Sequence, residues 1–137
     1  MSIQIEGVEE VLAQLEKVAD TQQIGKAVGQ ACAVVERAAK QKAPKKSGDL
    51  RRSIQSEVNG TEGIVFTPLE YAPYVEYGTG LFAENGGRKD VPWWYKNDDG
   101  KWVSTRGQHP QPFMRPALNE NRERIIGLIR DGIASHN

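Results

Sequence analysis

The sequence has few of the side chains that most enzymes and metalloproteins use. Its 137 residues include one cysteine, Cys32, and two histidines, His109 and His136. Neither histidine has a second His or Cys at the spacing of a metal site, and a lone cysteine cannot form an internal disulfide. Cys32 lies among alanines, where a small core residue is expected rather than a nucleophile. The sequence therefore predicts no catalytic residue, no metal site and no cofactor.

An excess of charge of one sign is also missing. The 18 basic and 18 acidic side chains balance to a formal net charge of zero, so no overall attraction to nucleic acid or to an acidic membrane is expected. No apolar run approaches the roughly 20 residues that span a bilayer. Residues 1–6 have neither the basic nor the apolar segment of a signal peptide. We therefore expect a product made in the cytoplasm and not bound to a membrane.

The pattern of apolar residues predicts both helices and strands. Apolar spacing of three and four residues indicates helices over about 8–19 and 21–42 and a last helix that begins at Pro116. A short strand is predicted near Ile3, and a hairpin over 54–67 around the Asn59-Gly60 turn. At this length one domain, residues 1–137, is expected. Because only 38% of the residues are hydrophobic, part of the apolar surface is expected to be buried against copies of the same chain.

The stretch Tyr71–Gly80 holds three of the four tyrosines. Its apolar residues fall at helical spacing, with Pro73 in the first turn and Gly78 just past the end. These features favour a short helix over a strand. Glu76 lies among the rings, and a buried carboxylate needs a partner. Arg115 is the predicted partner.

Residues 81–107 resemble an inserted arm. Trp93, Trp94 and Trp102 flank an Asp-Gly turn within Asn97–Gly100, which predicts a hairpin. Three tryptophans are more aromatic surface than a two-stranded ribbon can bury alone, and a lone hairpin is marginally stable in water. The arm is therefore expected to pack on its own domain or on a neighbouring subunit, and the sequence leaves both open.

One cluster of basic residues is visible. It consists of Lys40, Lys42, Lys45, Lys46, Arg51 and Arg52. Such a cluster is typical either of an edge that binds phosphate or of solvated cations near a helix C-terminus. The second interpretation is favoured, and the first leaves a nucleic-acid-binding regulator as the alternative function.

Three motifs in order resemble a bacteriophage neck and tail-component family, whose founder is the tenth gene product of a lambdoid phage. The run Lys42–Ile54 resembles the family signature AP-x-x-TG-x-L-x-x-SI, with Ser47 where threonine is commoner. A YA-x-x-VE-x-GT element is matched by Tyr71, Ala72, Val75, Glu76, Gly78 and Thr79, and a QPF-x-RPA element by Gln111, Pro112, Phe113, Arg115, Pro116 and Ala117. The arm of residues 81–107 is longer than in minimal members.

The resemblance implies a virion structural protein, not an enzyme, at the head–tail junction of a long-tailed phage. The expected role is tail completion or head–tail joining by a ring, with six-fold symmetry expected. Its partners would be copies of itself, the head connector or stopper protein, and the tail tube or tail terminator protein. In one variant the basic edge from Lys40 to Arg52 faces DNA in the channel.

The resemblance and the residue patterns together predict an α+β fold: a small antiparallel sheet packed by N-terminal, central and C-terminal amphipathic helices, with an extended Trp-rich hairpin arm. Tyr74, Tyr77 and Phe113 are predicted to pack between the central element and the last helix. Glu76 and Arg115 are expected to pair within or between subunits. Gly78 and Thr79 are predicted to shape the turn from which the arm departs. If the chain is a neck protein, the arm and the basic edge are expected to contact neighbouring subunits.

Overall fold

The chain forms two compact units in the computed structural model. One comprises Met1–Leu69 and Phe113–Asn137, here called the core unit, and the other comprises Glu70–Pro112, here called the arm unit. The structure describes residues 1–4, 21–45, 48–84, 86–87 and 90–134. The helix predicted over 8–19 lies outside the described residues. That residues 1–137 fold as a single domain stays a prediction.

The core unit contains a three-stranded antiparallel sheet. Its strands are β1 (Ser2–Gln4), β2 (Gln55–Asn59) and β3 (Glu62–Phe66), in the order β1-β3-β2. Val65, in the central strand, lies opposite both Ile3 and Ser56 and is fully buried. The sheet and the hairpin around Asn59-Gly60 confirm the predicted antiparallel element.

Helix α1 (Thr21–Lys42) is the centre of the core unit. Its buried side chains recur every three or four residues and are Ile24, Ala27, Val28, Ala31, Cys32, Val35 and Ala39. The helix contacts β2, β3 and a short helix, α2 (Asp49–Ser53). It ends two residues before Pro44, as expected because proline disfavours helical conformation in the residue before it.

Close packing between α1 and the sheet depends on a glycine. A Cβ built on Gly63 would lie 2.3 Å from Sγ of Cys32 and 2.7 Å from Cγ1 of Val28. Burial, with a smaller contribution from the charge of Glu36, raises the pKa of the Cys32 thiol to about 11. Since the thiolate is the reactive form of cysteine, the raised pKa and the burial agree with a core role for Cys32.

Replacing Gly63 with alanine is expected to lower the free energy of unfolding by about 2 kcal/mol, because an added methyl group overpacks this site. Urea denaturation would measure the change. The double variant Gly63→Ala/Cys32→Ala should lose less stability than the sum of the single changes, since the sulfur atom is then gone. Gly127→Ala is the matched control, because a Cβ there meets nothing within 4 Å, and it should not destabilise. If the stability changes of the two single variants simply added in the double variant, the Cys32 sulfur would not be the atom that the new methyl group meets.

The C-terminal segment forms two helices, α4 and α5, where one was predicted. The first spans Met114–Asn119 and the second Arg122–Ala134. The prediction that a single helix begins at Pro116 is therefore wrong. The side-chain amide of Asn121 donates to the carbonyl of Ala117 at 2.8 Å, and such side-chain bonds compete with the helix ladder. Both helices contact α1, and Ile125, Ile129 and Ile133 form the buried stripe of α5.

The arm unit consists of a short helix and a hairpin. Helix α3 spans Ala72–Tyr77, and a single turn of 3₁₀-helix spans Gly80–Phe82. Strands β4 (Trp93–Lys96) and β5 (Trp102–Thr105) pair antiparallel. The predicted short helix and the predicted Trp-rich hairpin are confirmed.

Candidate interaction surface

The hairpin of the arm unit has one face whose side chains are all exposed to solvent. Side chains alternate between the two faces of a ribbon, and the register pairs Trp94 with Ser104 and Lys96 with Trp102. These four residues therefore share a face, here called the Trp face. Trp94 is 63% exposed and Trp102 is 64% exposed. Nζ of Lys96 lies 5.7 Å from the ring centroid of Trp102, a distance at which the cation attracts the ring.

Part of the opposite face of the hairpin packs within the arm unit, although Tyr95 on that face is exposed. It carries Trp93, and the ring of this residue lies so close to Gly80 that a Cβ there would be 2.6 Å from it. Trp93 is half-buried as a result. One tryptophan of the three thus packs on its own unit, whereas Trp94 and Trp102 do not. The choice of tryptophan depends on the hairpin register and on Gly80, which precedes the hairpin by more than ten residues. The sequence pattern indicated neither of these.

Backbone and hydroxyl hydrogen bonds hold the base of the hairpin. The Thr79 N–H donates to the Gln108 carbonyl at 2.9 Å, and the Gln108 N–H donates to Oγ1 of Thr79 at 2.9 Å. The Leu81 N–H donates to the Arg106 carbonyl at 2.8 Å. Thr79 therefore binds the chain where it returns from the hairpin, next to Gly78. The ring of His109 stacks on Phe82 at 3.9 Å between centroids in the same region.

The tyrosines predicted to pack differ in their exposure. Tyr74 is 61% exposed, and its predicted role in packing or at an interface stays a prediction. Its ring projects from a surface turn of α3, which leaves an interface role as the prediction. Tyr77 is half-buried, and both Glu76 and Phe113 are fully buried. The pairing of Glu76 with Arg115 stays a prediction.

Exposed apolar side chains are concentrated in the arm unit. Among the described residues, six of the seven large hydrophobic side chains that are exposed lie there; they are Tyr71, Tyr74, Leu81, Trp94, Tyr95 and Trp102. Only Val58 belongs to the core unit. Apolar patches of this kind mark sites of protein interaction. The sequence predicted the tryptophans but missed Leu81 and Tyr95, because exposure of single residues in loops and ribbons has no sequence period.

Most of the basic cluster makes contacts within the core unit. Lys40 lies 3.5 Å from Glu36, Arg52 pairs with Asp49, and Lys42 pairs with Glu120. Nε of Arg51 donates to the Lys40 carbonyl at 3.0 Å. Lys45 is exposed, and Lys46 lies outside the described residues. These contacts favour a structural role for the cluster, and its placement beside DNA stays a prediction.

A groove that the sequence did not predict lies between α1 and the C-terminal helices. Its volume is about 530 Å³, and its lining includes Arg37, Lys42 and Arg124. Arg37 and Arg124 are 87 positions apart in the chain numbering, and only the packing of α1 against α5 brings them to one groove. No local pattern could have indicated it.

Within the described ranges, no group of three or more His, Cys, Asp or Glu side chains could hold a metal ion. The same part of the chain contains no helix that is both long and apolar enough to cross a membrane.

Comparison with known proteins identifies the family. A family model described as "Bacteriophage HK97-gp10, putative tail-component" matches residues 9–78, just over half of the 137 residues. The match includes the first sequence motif and the second as far as Gly78, and it ends before the Trp-rich hairpin of β4 and β5. No curated protein and no solved structure matches the chain. The chain belongs to the HK97-gp10-like family of bacteriophage tail components.

Proposed function

We propose that this phage tail component is a neck protein that joins the head to the tail. In this proposal it forms a ring, a hexamer, between the head connector and the tail tube and so completes the tail. The observation that carries the proposal is the concentration of exposed apolar side chains in the arm unit. Exposed apolar surface of this kind is unfavourable in water, and assembly with other proteins would bury it.

The Trp face supplies the main driving force in this proposal. Trp94 and Trp102 are each more than three-fifths exposed, and a tryptophan can bury about 150–250 Å². At about 25 cal/mol per Å², covering both rings would contribute several kcal/mol to association. Tryptophan is also enriched among the residues that dominate binding energy at interfaces.

The ring would be built from contacts between unlike surfaces. In a cyclic hexamer, one patch of each subunit meets a different patch on the next subunit. We place the Trp face on one side of such contacts, with Tyr74, Gly78 and Thr79 at its base. The proposed pair of Glu76 and Arg115 would lie within or between subunits. The head connector or stopper protein and the tail tube or tail terminator protein would cover the two ends of the ring.

Electron cryo-microscopy of whole particles tests the proposal. Particles in which this protein carries a small gold label are expected to show the label at the head–tail junction. Cells infected with a phage that lacks the gene should accumulate heads and tails that do not join. Label along the tail tube, or normal joining without the protein, would contradict the proposal.

A further inference from the structure

The groove of the core unit carries an excess of positive charge. Its lining consists of Val34, Arg37, Ala38, Gln41, Lys42, Glu120, Asn121 and Arg124. Three of these side chains are cationic and one is a carboxylate, and that carboxylate is already paired with Lys42. Arg37 and Arg124 are exposed, and among the described residues neither forms an ion pair. The groove is therefore suited to a ligand with two negative charges.

The walls of the groove are suited to carboxylates in particular. A guanidinium presents a planar fork of N–H donors that matches a carboxylate, and such charge-assisted pairs are stronger than neutral hydrogen bonds. Val34 and Ala38 supply the apolar part of the lining, and a volume of about 530 Å³ lies within the range of pockets that hold a compact ligand.

The tip of the hairpin carries a matching pair of carboxylates. Asp98 and Asp99 occupy the turn between β4 and β5, where both are exposed. Within the part of the chain that the structure describes, neither forms an ion pair. Oδ1 of Asn97 accepts the N–H of Asp99 at 3.0 Å and that of Lys101 at 2.9 Å. Because these hydrogen bonds to Asn97 already fix the conformation of the turn, little conformational entropy would be lost when it binds.

We propose that the Asp98-Asp99 tip of one copy binds in the groove of a second copy, with its carboxylates on Arg37 and Arg124. The occupant is assigned to a second copy by charge: an excess of two positive charges in the groove meets two negative charges on a tip of the same chain. The two surfaces are unlike, as a ring contact requires. This inference rests on the proposed function, because it names the surfaces that join neighbours in the ring.

Charge reversal tests the contact. We expect Asp98→Lys/Asp99→Lys and Arg37→Glu/Arg124→Glu each to weaken self-association by about 30-fold or more, as removal of one side of a close charge pair does. Combining all four changes in one chain should restore the pairing with its signs exchanged. Light scattering and native mass spectrometry over a concentration series would give the mass of each variant. Circular dichroism and urea denaturation would show that each variant folds as the wild type does.

Matched reversals elsewhere on the surface serve as controls. Glu57→Lys/Glu62→Lys makes the same charge change as the tip variant, and Arg106→Glu/Arg130→Glu makes the same change as the groove variant. All four of these residues are exposed, and both control variants should assemble like the wild type. If they weakened association as much as the test variants, net charge and not this contact would be responsible, and the inference would be wrong.

The remaining outcomes separate the inference from the proposed function. A wild-type chain that stays monomeric at its highest soluble concentration would overturn the inference, as would a four-fold variant that fails to recover. Test variants that self-associate normally but fail to join heads to tails would assign the groove to another virion protein, and this too would overturn it. The proposed function would be overturned by different results, namely absence of the label from the head–tail junction or normal joining of heads and tails without the protein.

Discussion

Trp94→Thr/Trp102→Thr is expected to abolish infectivity while leaving the fold of the chain unchanged. Both rings are more than three-fifths exposed on the Trp face, so their removal creates no cavity, and threonine is well tolerated in strands. Truncation of a tryptophan that is a hot spot of an interface costs about 2 kcal/mol or more, which is about 30-fold in affinity. The phage titre after complementation with the variant, together with cryo-EM counts of joined particles, would measure the effect.

The matched control is Val58→Thr. Among the described residues of the core unit, Val58 is the large hydrophobic side chain that is exposed, at 42%, and it also lies in a strand. Its replacement removes apolar surface without touching the Trp face, so the titre should stay at the wild-type level. A normal titre for the double tryptophan variant would contradict the proposed use of this face. A loss of titre with unfolded protein would be recognised from the circular dichroism spectrum and would not count in its favour.

Elements of the fold whose cause is local could be predicted from the sequence. Helix α1 follows from the spacing of Ile24, Val28 and Val35, and its end follows from Pro44. The hairpin of β2 and β3 follows from Asn59-Gly60. The break between α4 and α5 could not be predicted in the same way. It depends on whether the Asn121 side chain bonds to the carbonyl of Ala117, and an asparagine within a helical pattern leaves that choice open.

The candidate interaction surface was predictable in composition but not in geometry. Three tryptophans around an Asp-Gly turn indicated an aromatic hairpin with surface in excess. Which rings remain exposed depends on the pairing of Lys96 with Trp102 and on the packing of Trp93 against Gly80. The groove could not be predicted from the sequence at all, because Arg37 and Arg124 come together only through tertiary packing of two helices.

Gly107→Ala is expected to destabilise the arm unit by about 3 kcal/mol or more. Gly107 has a φ of 118°, and a Cβ built on it would lie 2.1 Å from the carbonyl oxygen of Thr79. Two costs therefore add: the backbone conformation is one that L residues rarely adopt, at about 1–3 kcal/mol, and the methyl group would collide with backbone that cannot rotate away. Relief of the collision requires Thr79 to move, which breaks its hydrogen bonds to Gln108.

Tryptophan fluorescence during urea denaturation would measure this effect in the arm unit alone, because Trp93, Trp94 and Trp102 are the three tryptophans of the chain and all lie in that unit.

Gly100→Ala is the control. Gly100 also has a positive φ, 76°, but a Cβ there meets nothing within 4 Å. It should therefore cost only the backbone strain, about 1–2 kcal/mol. Equal shifts of the fluorescence midpoint in the two variants would show that the contact between Gly107 and Thr79 does not hold the base of the hairpin. A larger shift for Gly107→Ala means that the Trp face depends on this close approach, so that the proposed joining of head to tail should be lost together with the stability of the hairpin base.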